Sequence, residues 1–352
     1  MRVVILGATG NLGTALLHEL KGDQNVSEIV AVARRVVPRP AADDARISWR
    51  AADIAKDDLI PILLGADAVV HLAWLFQPTH RPDVTWANNV IGTVRLLEAV
   101  ERAQVGSLIV SSSVAAYSPR ESDEAVDESW PTHGTSAAAY AREKAYVERL
   151  LDAFEARVPQ CQVARLRPAF VFHRRAATQQ RRLFMGPLIP GSLLRPGLIP
   201  LLPTPQGLIL QTVHSDDAAR AFAAALMAST SGAYNVCADG VLLPDDIAQL
   251  LDAKVTSVPP RLVRAGLKAA WLARTVPAAP ELLDALLAVP MMSNDKAKAE
   301  WGWSPQVSAA DAVQAFFEGA RAGDGYPTPP LNPATSGPLR FREVVTGVGT
   351  RP

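Results

Sequence analysis

Short apolar runs alternate, over most of the chain, with longer segments in which apolar residues recur every three or four positions. The short runs predict β-strands, and the periodic segments predict α-helices. Strands and helices in alternation are typical of a parallel sheet covered on both faces, so we expect an α/β fold with a doubly wound parallel sheet. The predicted strands are 28–33, 47–51, 68–72, 108–111, 162–166 and 232–238, and the predicted helices are 12–20, 83–103, 137–157 and a helical region at 259–289.

A glycine-rich turn follows the first apolar run. The run that begins at Met1 predicts a strand, and Gly7, Gly10 and Gly13 then recur as G-x-x-G-x-x-G at the start of the first predicted helix. Glycine lets the backbone approach a pyrophosphate closely, and the helix N-terminus offers unpaired amides to that anion. A strand, a glycine turn and a helix in this order indicate a dinucleotide site of the Rossmann type.

The residues at the end of the second predicted strand indicate whether NAD or NADP is the preferred cofactor. An acidic residue about twenty positions past the last glycine would indicate NAD, but this chain has Ala33, Arg34 and Arg35 there. Guanidinium groups without a carboxylate suit a 2'-phosphate, which arginine binds with two parallel hydrogen bonds. We therefore expect NADP(H) as the preferred cofactor, with NAD(H) as the alternative. For Arg35, a solvated loop position is an equally good interpretation.

The pattern of the chain changes after Pro168, which suggests a second lobe. Proline and glycine become frequent between Met185 and Gly207, where we expect irregular structure. We assign 1–170, with 212–240 returning to it, to the dinucleotide-binding domain, and 171–211 with 241–318 to a smaller, mostly C-terminal substrate-binding lobe. The remaining 319–352 are rich in proline and predict an extended tail on the surface or in disorder.

A tyrosine and a lysine four positions apart supply candidate chemistry. Tyr140 and Lys144 lie in a predicted helix, so their side chains point from one face. A nearby ammonium favours the phenolate form of tyrosine, so the pair is suited to transferring a proton. The same spacing also occurs by chance on surface helices, so its weight comes from the glycine turn that precedes it.

Composition excludes several other classes of function. The chain has 352 residues, a formal net charge of zero and 49% hydrophobic residues, which is enough for a large core. Neither a basic excess nor an apolar stretch of membrane-spanning length is present, so we expect no nucleic acid and no membrane as partner. Cys161 and Cys237 have no neighbouring metal-site residues, so we expect buried thiols and no metal. With no signal-peptide pattern before the first strand, we expect a cytoplasmic enzyme with a small-molecule substrate.

The order of motifs resembles the extended short-chain dehydrogenase/reductase family, which includes sugar-nucleotide epimerases, dehydratases and carbonyl reductases. The resemblance runs from Met1 to about Gly319. After the glycine turn, its motifs are Asp53-Ile54, Val70-His71-Leu72-Ala73, 88–93, Ser111-Ser112-Ser113 with Tyr117, the Tyr140 and Lys144 pair, Arg167-Pro168, 213–217 and 301–305.

The resemblance implies a role for each matching position. Ser113, Tyr140 and Lys144 would be catalytic, with Lys144 also anchoring the nicotinamide ribose and lowering the pKa of Tyr140. Asn89 would support the active-site helix, although Asn88 beside it leaves the register open by one. Members of this family often form homodimers through two long helices, which begin in this chain at 83 and 137. The resemblance therefore implies a homodimer. The implied cofactor contacts are Gly7, Thr9, Gly10, Asn11, Leu12, Gly13, Arg34, Arg35, Asp53, Ile54, Leu72, Ala73, Asn89, Ser111, Tyr140, Lys144 and Pro168.

One departure from the family affects the predicted substrate. Leu210 stands where sugar-nucleotide enzymes usually carry an arginine that meets the diphosphate. We therefore expect an NADP(H)-dependent oxidoreductase that reduces a carbonyl or oxidises a secondary alcohol of a relatively apolar molecule. Four residues are expected to line the substrate site: Trp74, Tyr117, Phe184 and Leu210. For Tyr117, a role in packing alone is an equally good interpretation.

Two alternatives stay open, an NAD-dependent nucleotide-sugar epimerase or dehydratase and a non-catalytic dinucleotide sensor. Four arginines could contact an anionic substrate, although we favour a solvated loop for them: Arg174, Arg175, Arg181 and Arg182.

Overall fold

A seven-stranded parallel sheet forms the centre of the molecule. The computed structural model describes residues 1–35, 44–77, 79–186 and 190–333. The strands of the central sheet are β1 (Arg2–Leu6), β2 (Glu28–Ala33), β3 (Ile47–Ala51), β4 (Ala68–His71), β5 (Ser107–Ser111), β6 (Gln162–Pro168) and β10 (Gly232–Val236). Their spatial order is β10-β6-β5-β4-β1-β2-β3, and all neighbours run parallel. The predicted doubly wound sheet is confirmed.

Helices cover both faces of this sheet. They are α1 (Asn11–Glu19), α2 (Ile60–Leu63), α3 (Pro82–Trp86), α4 (Gly92–Arg102), α5 (Ala139–Arg157) and α7 (Ser215–Ala228). Helix α6 (Ala177–Phe184) instead contributes Ala177 to a separate core. A π-helical turn at Ala87–Ile91 joins α3 to α4, so the predicted helix at 83–103 is one continuous rod with a local distortion.

Alternate residues of β1 point into two separate cores. Val3 and Ile5 pack in the core beneath α1 and α7, whereas Val4 and Leu6 pack in the core beneath α4 and α5. Because strand side chains alternate between faces, a strand buried on both sides needs the continuous apolar run that this one has. The short strands near the N-terminus are predictable from sequence for this reason.

The strand order reverses at β1, which has β2 on one side and β4 on the other. In open α/β sheets, ligands bind in the crevice beyond the carboxyl ends of the strands at such a reversal. Here the glycine turn follows β1, and Leu72 and Ala73 follow β4. The topology therefore brings these two predicted cofactor segments together.

The C-terminal part adds a lobe with its own core. The elements outside the central sheet in this part are β7 (Phe170–Phe172), β8 (Leu201–Pro205), β9 (Thr212–His214), α8 (Pro244–Leu250), β11 (Lys254–Val258), α9 (Pro260–Leu272), α10 (Pro280–Ala288), α11 (Asp295–Trp301) and α12 (Ala309–Ala322). Of these, β9 and α11 contribute Val213 and Ala297 to the core beneath α1 and α7. The lobe core includes Leu194, Leu242, Val313 and Phe316.

The prediction of irregular structure between 185 and 207 is wrong at β8, which pairs in parallel with β11. We did not predict this strand because it contains Pro203 and Pro205, and proline has no amide hydrogen to donate to a neighbouring strand. Here β8 has β11 as its one neighbour in a two-stranded sheet, and a strand with a free edge tolerates proline.

The predicted tail also begins too early. Helix α12 continues to Ala322, and the chain that follows packs back onto the glycine turn, with Leu331 buried. A buried leucine and side-chain hydrogen bonds hold this segment in place despite its proline content. The rest of the predicted tail, 334–352, lies outside the described residues.

A buried ion network joins α5 to β6. Glu148 is fully buried, and its carboxylate accepts hydrogen bonds from the Arg167 Nε at 2.9 Å and the Ser112 hydroxyl at 2.6 Å. Arg165 also pairs with it at 3.2 Å. Burial raises the pKa of Glu148, but the hydrogen bond and charge of Arg167, with Ser112 and Arg165, lower it to about 2. Glu148 is therefore ionised at neutral pH.

We expect Glu148→Gln to lower the free energy of unfolding by about 3–5 kcal/mol, because the substitution leaves buried guanidinium groups without their counter-charge. Urea denaturation measures the change. The matched control is Glu101→Gln, whose ion pair with Arg157 is largely exposed and for which we expect about 1 kcal/mol or less. Equal small losses in both variants would contradict a structural role for the buried network.

Candidate active site

Ser113 and Tyr140, predicted as catalytic, meet at one end of the central sheet. Ser113 follows β5, where its hydroxyl accepts a hydrogen bond from the amide of Ala115 at 3.2 Å and so caps a short helical turn. Tyr140 lies in the first turn of α5, where the Ser113 side chain is close enough to favour the ionised form of the phenol and so to lower its pKa. The two hydroxyl groups therefore lie near each other.

Lys144 lies one helical turn further along α5 and is buried. Its ammonium donates to the carbonyl of Ser111 at 2.8 Å and lies 3.5 Å from the centroid of the Trp74 ring, a cation-π contact. Burial lowers the pKa of Lys144 to about 7, although the negative charges of Glu148 and Glu143 oppose this shift. The side chain therefore changes charge near neutrality.

The expectation that Lys144 lowers the pKa of Tyr140 is wrong in this structure. Burial raises the pKa of Tyr140, the nearby Ser113 side chain opposes this rise, and the charge of Glu143 adds to it. The ammonium of Lys144 is engaged by Ser111 and Trp74, 5.9 Å from the centroid of the phenol ring. Tyr140 is therefore protonated at neutral pH, which is the form a proton donor needs.

Asn89 lies under the site and not in it. It is fully buried, and its amide donates to the carboxylate of Glu143 at 2.7 Å and to the carbonyl of Leu75 at 2.8 Å. Its predicted contact with the cofactor is therefore corrected to a supporting role for α5, and the neighbouring Asn88 faces the cleft. Glu143, which also accepts from the Thr85 hydroxyl at 2.6 Å, was not predicted from sequence.

A cleft of about 570 Å³ runs from the glycine turn toward these residues. This volume is in the range of small-molecule and cofactor sites. The predicted cofactor residues that line it are Gly7, Thr9, Gly10, Arg34, Arg35, Ile54, Leu72 and Ala73. Sequence did not predict Gln179, Pro329 and Pro330, which also line the cleft, and for Arg182, another lining residue, it favoured a solvated loop over contact with an anion.

The other predicted cofactor residues do not line this cleft. The Asn11 side chain accepts from the Ser215 hydroxyl, Asp53 accepts from the amide of Ala55, and the Ser111 carbonyl accepts from Lys144. Leu12 packs on the core, and Pro168 is buried at the end of β6.

The glycine spacing has a steric cause. Gly7 has φ +86°, and a Cβ there would lie 2.7 Å from the amide nitrogen of Ala73. A Cβ on Gly13 would lie 2.3 Å from the carbonyl oxygen of Gly7. The turn therefore packs against β4 on one side and α1 on the other, and the α1 N-terminus opens toward the cleft. This backbone cradle fits the pyrophosphate of a dinucleotide.

Aromatic side chains surround Tyr140. Its ring centroid lies 5.9 Å from that of Trp74 and 5.1 Å from that of Phe76, which in turn lies 5.2 Å from Phe184. A second cavity of about 260 Å³ adjoins Tyr140 and is bounded by Leu75, Phe76, Trp271 and Leu282 among others. Of the predicted substrate-lining residues, Trp74 contacts the phenol ring and lines the cleft, whereas Phe184 contacts Phe76 and lines neither cavity.

Tyr117 and Leu210 do not lie at the site, and their prediction as substrate-lining is corrected. Tyr117 is buried, and its hydroxyl donates to Asn235 at 2.6 Å and accepts from Arg167 at 2.9 Å. Leu210 packs against the core of the C-terminal lobe and forms a backbone bridge with Leu242. The absence of an arginine at 210 therefore says nothing direct about the walls of these two cavities.

Arg181 and Arg182 are buried in α6, so our expectation that they lie in a solvated loop is wrong. Arg174 is exposed and pairs with Asp324 at 2.6 Å, which also gives it a structural partner.

Two histidines and an aspartate lie close enough together to resemble a metal site. The potential metal-binding atoms of His173, His214 and Asp216 all lie within 4.8 Å of one another. The Nδ1 atom of each histidine accepts a backbone amide, from Arg175 at 3.0 Å and from Asp216 at 3.3 Å. A neutral imidazole that accepts at Nδ1 carries its proton on Nε2, which then has no lone pair for a metal. These histidines cap helical turns.

Across the described ranges, we find no helix with the length and apolar character needed to cross a membrane.

The chain is similar to proteins of several bacteria. It is 26% identical over 330 residues to an uncharacterised protein of Mycobacterium tuberculosis, covering 92% of this chain and 31% of that protein, so it spans about a third of that relative's length. A UDP-glucose 4-epimerase of Yersinia pestis is 37% identical over 123 residues, which is 33% of this chain and 36% of the epimerase.

Solved structures share the fold. A UDP-glucose 4-epimerase of Thermus thermophilus in complex with NAD superposes with a TM-score of 0.66 at 20% identity, over 91% of this chain and 99% of that chain. A dTDP-glucose 4,6-dehydratase of Streptomyces venezuelae gives a TM-score of 0.67 at 22% identity, over 92% and 97%. The model of the NAD dependent epimerase/dehydratase family matches residues 3–237, and the chain belongs to this family.

Proposed function

We propose that this chain is an NADP(H)-dependent oxidoreductase that reduces a carbonyl group, or oxidises a secondary alcohol, of a relatively apolar small molecule. The observation that carries the proposal is the proximity of Ser113 and Tyr140 to the buried Lys144, next to Trp74 and Phe76 at the end of a cleft that begins at the glycine turn. A dinucleotide sensor needs no such pair, so this arrangement disfavours the non-catalytic alternative.

In the proposed reaction, Ser113 and Tyr140 hydrogen-bond to the substrate oxygen. A bound nicotinamide dinucleotide supplies or accepts the hydride. As negative charge develops on the oxygen, Tyr140 donates its proton, which its raised pKa keeps in place at neutral pH. In the oxidative direction the Tyr140 oxygen accepts the proton from the alcohol. The buried Lys144 places a titratable positive charge next to this exchange.

The preference for NADP(H) rests on the end of β2. Arg34 is exposed there and lines the cleft, and Ala33 offers no carboxylate for a ribose. Burial and the neighbouring charge of Arg34 lower the pKa of Arg35, so two positive charges lie close together. A 2'-phosphate bound between them would relieve this repulsion.

The preference for an apolar substrate rests on the rings around Tyr140. Trp74 and Phe76 form an aromatic wall beside the proton donor, and Phe184 packs on Phe76. Such a wall favours contact with a hydrophobic carbonyl compound or alcohol over contact with a charged diphosphate. We also propose that the lobe of 171–211 and 241–318 supplies the rest of the substrate site.

The second candidate is an NAD-dependent epimerase or dehydratase of a nucleotide-linked sugar. It is favoured by the activities of the Yersinia relative and of the two solved structures, both of which contain NAD. The same Ser113 and Tyr140 pair would serve it, with the hydride returned to the sugar in the same cycle.

We also propose a homodimer through the rods of α3–α4 and α5. Trp86 and Tyr146 are 37% and 46% exposed, and their rings lie 5.0 Å apart on this surface, next to Ile91 at 45%. Exposed aromatic pairs of this kind mark interaction surfaces.

Sedimentation velocity tests the dimer. We expect a dimer for the wild type at micromolar concentration and a monomer for Tyr146→Asp, which buries a charge in the contact. The control is Leu262→Asp, on the exposed face of α9, which should remain dimeric. A monomeric wild type would contradict the proposal.

The cofactor is tested by fluorescence titration with NADPH and NADH. We expect the wild type to bind NADPH more tightly, and Arg34→Ala to weaken NADPH about tenfold or more while leaving NADH nearly unchanged, since one charge-assisted contact is lost. Arg261→Ala, an exposed arginine of the lobe, is the matched control and should change neither constant. A wild type that prefers NADH would refute the NADP(H) assignment and favour the second candidate.

A further inference from the structure

The segment 326–333, here called the C-terminal strap, lies directly on the glycine turn. Thr328 is buried, and its hydroxyl donates to the backbone carbonyl of Thr9 at 3.0 Å. The chain on either side is folded on itself, because the amide of Leu331 donates to the carbonyl of Thr328 at 3.0 Å and the amide of Tyr326 donates to the carbonyl of Leu331 at 3.1 Å. The strap is a closed turn with a defined position, held to the dinucleotide domain by one hydroxyl.

A ring contact anchors the strap at its other end. The Tyr326 ring stacks on His173, with centroids 6.0 Å apart and planes 14° apart, and the Arg175 guanidinium lies 5.0 Å from the Tyr326 centroid. These partners belong to the segment after β7, where the lobe begins. The strap therefore spans the cleft from the lobe to the glycine turn.

Two prolines of the strap line the cleft. Pro329 and Pro330 face the same cavity as Gly7, Thr9 and Gly10. Proline has no amide hydrogen to donate to an anion, so these rings cover the cleft without competing for the phosphates. The Thr328 hydroxyl also occupies the Thr9 carbonyl, which reduces the negative potential of that oxygen next to an anion site.

We propose that the C-terminal strap is a working part of the dinucleotide site. Thr328 positions the glycine turn, and Pro329 and Pro330 close the cleft over the bound dinucleotide, so that the cofactor leaves only when the strap lifts. The inference rests on the proposed function in one respect, that a nicotinamide dinucleotide occupies this cleft. It adds the residues that hold the cofactor in place during turnover.

The test measures the rate at which NADPH leaves the full-length protein, by stopped-flow displacement of NADPH with excess NADP⁺. We expect dissociation about three- to tenfold faster in Thr328→Val, the effect of losing one neutral hydrogen bond. Thr328→Ser keeps the hydroxyl and should dissociate at the wild-type rate. Thr256→Val, at an exposed position of β11, is the control for the substitution itself. Tyr326→Ala provides a second variant, which removes the ring stack without touching the cleft and should also speed dissociation.

The outcomes separate the two proposals. If the wild type binds NADPH and both Thr328→Val and Tyr326→Ala release it at the wild-type rate, the strap proposal is overturned while the proposed cofactor stands. If Thr328→Ser accelerates release as much as Thr328→Val, the role of the hydroxyl is overturned. If the wild type binds neither NADPH nor NADH, the proposed function fails and the strap proposal fails with it. Melting temperatures of the cofactor-free variants distinguish a specific effect on release from general loss of stability.

Discussion

The buried polar stripe of α5 is the constraint on which the site depends. Glu143, Lys144 and Glu148 are all buried on this one helix, and a buried charge is tolerated only when it is paired or hydrogen-bonded. Their partners come from three different places: the turn between α3 and α4 for Glu143, the end of β5 for Lys144, and β6 for Glu148. Three separate contacts along the helix fix its rotation and its height against the sheet. Tyr140, one turn before this stripe, is thereby placed against Ser113.

The same stripe sets the electrostatics of the site. Lys144 is shielded from water but lies between two carboxylates, and the balance leaves its pKa at about 7. Burial raises the pKa of Tyr140, and the negative charge of Glu143 adds to the rise. The phenol therefore keeps its proton at neutral pH, next to a lysine whose pKa is about 7. At the other end of the cleft, Gly7 and Gly13 shape the backbone that receives a pyrophosphate, and the reversal of strand order at β1 joins the two ends.

The features that sequence predicted well are local ones. The central strands and the glycine turn follow from short apolar runs and from glycine spacing, which the immediate chain determines. The meeting of Tyr140 with Ser113 followed from the family resemblance. Sequence could not show that Tyr117 turns away into a contact with Asn235, or that Thr328 reaches Thr9 across 319 positions of the chain, since such contacts depend on the packed lobe. The strand β8 was missed for another reason. Its prolines are acceptable only in a strand that has one free edge, and the sequence does not show which strands have one.

The role of Tyr140 is tested most directly by the turnover of Tyr140→Phe. NADPH oxidation by the wild type is measured with a panel of apolar ketones and aldehydes, and the variant is then assayed with the best substrate. If α5 positions Tyr140 as the proton donor, kcat falls by about 10²- to 10⁴-fold while the dissociation constant for NADPH stays nearly unchanged. Retained turnover in the variant would contradict the account, and so would a wild type that leaves every such carbonyl untouched while interconverting a nucleotide-linked sugar without net change in NADPH.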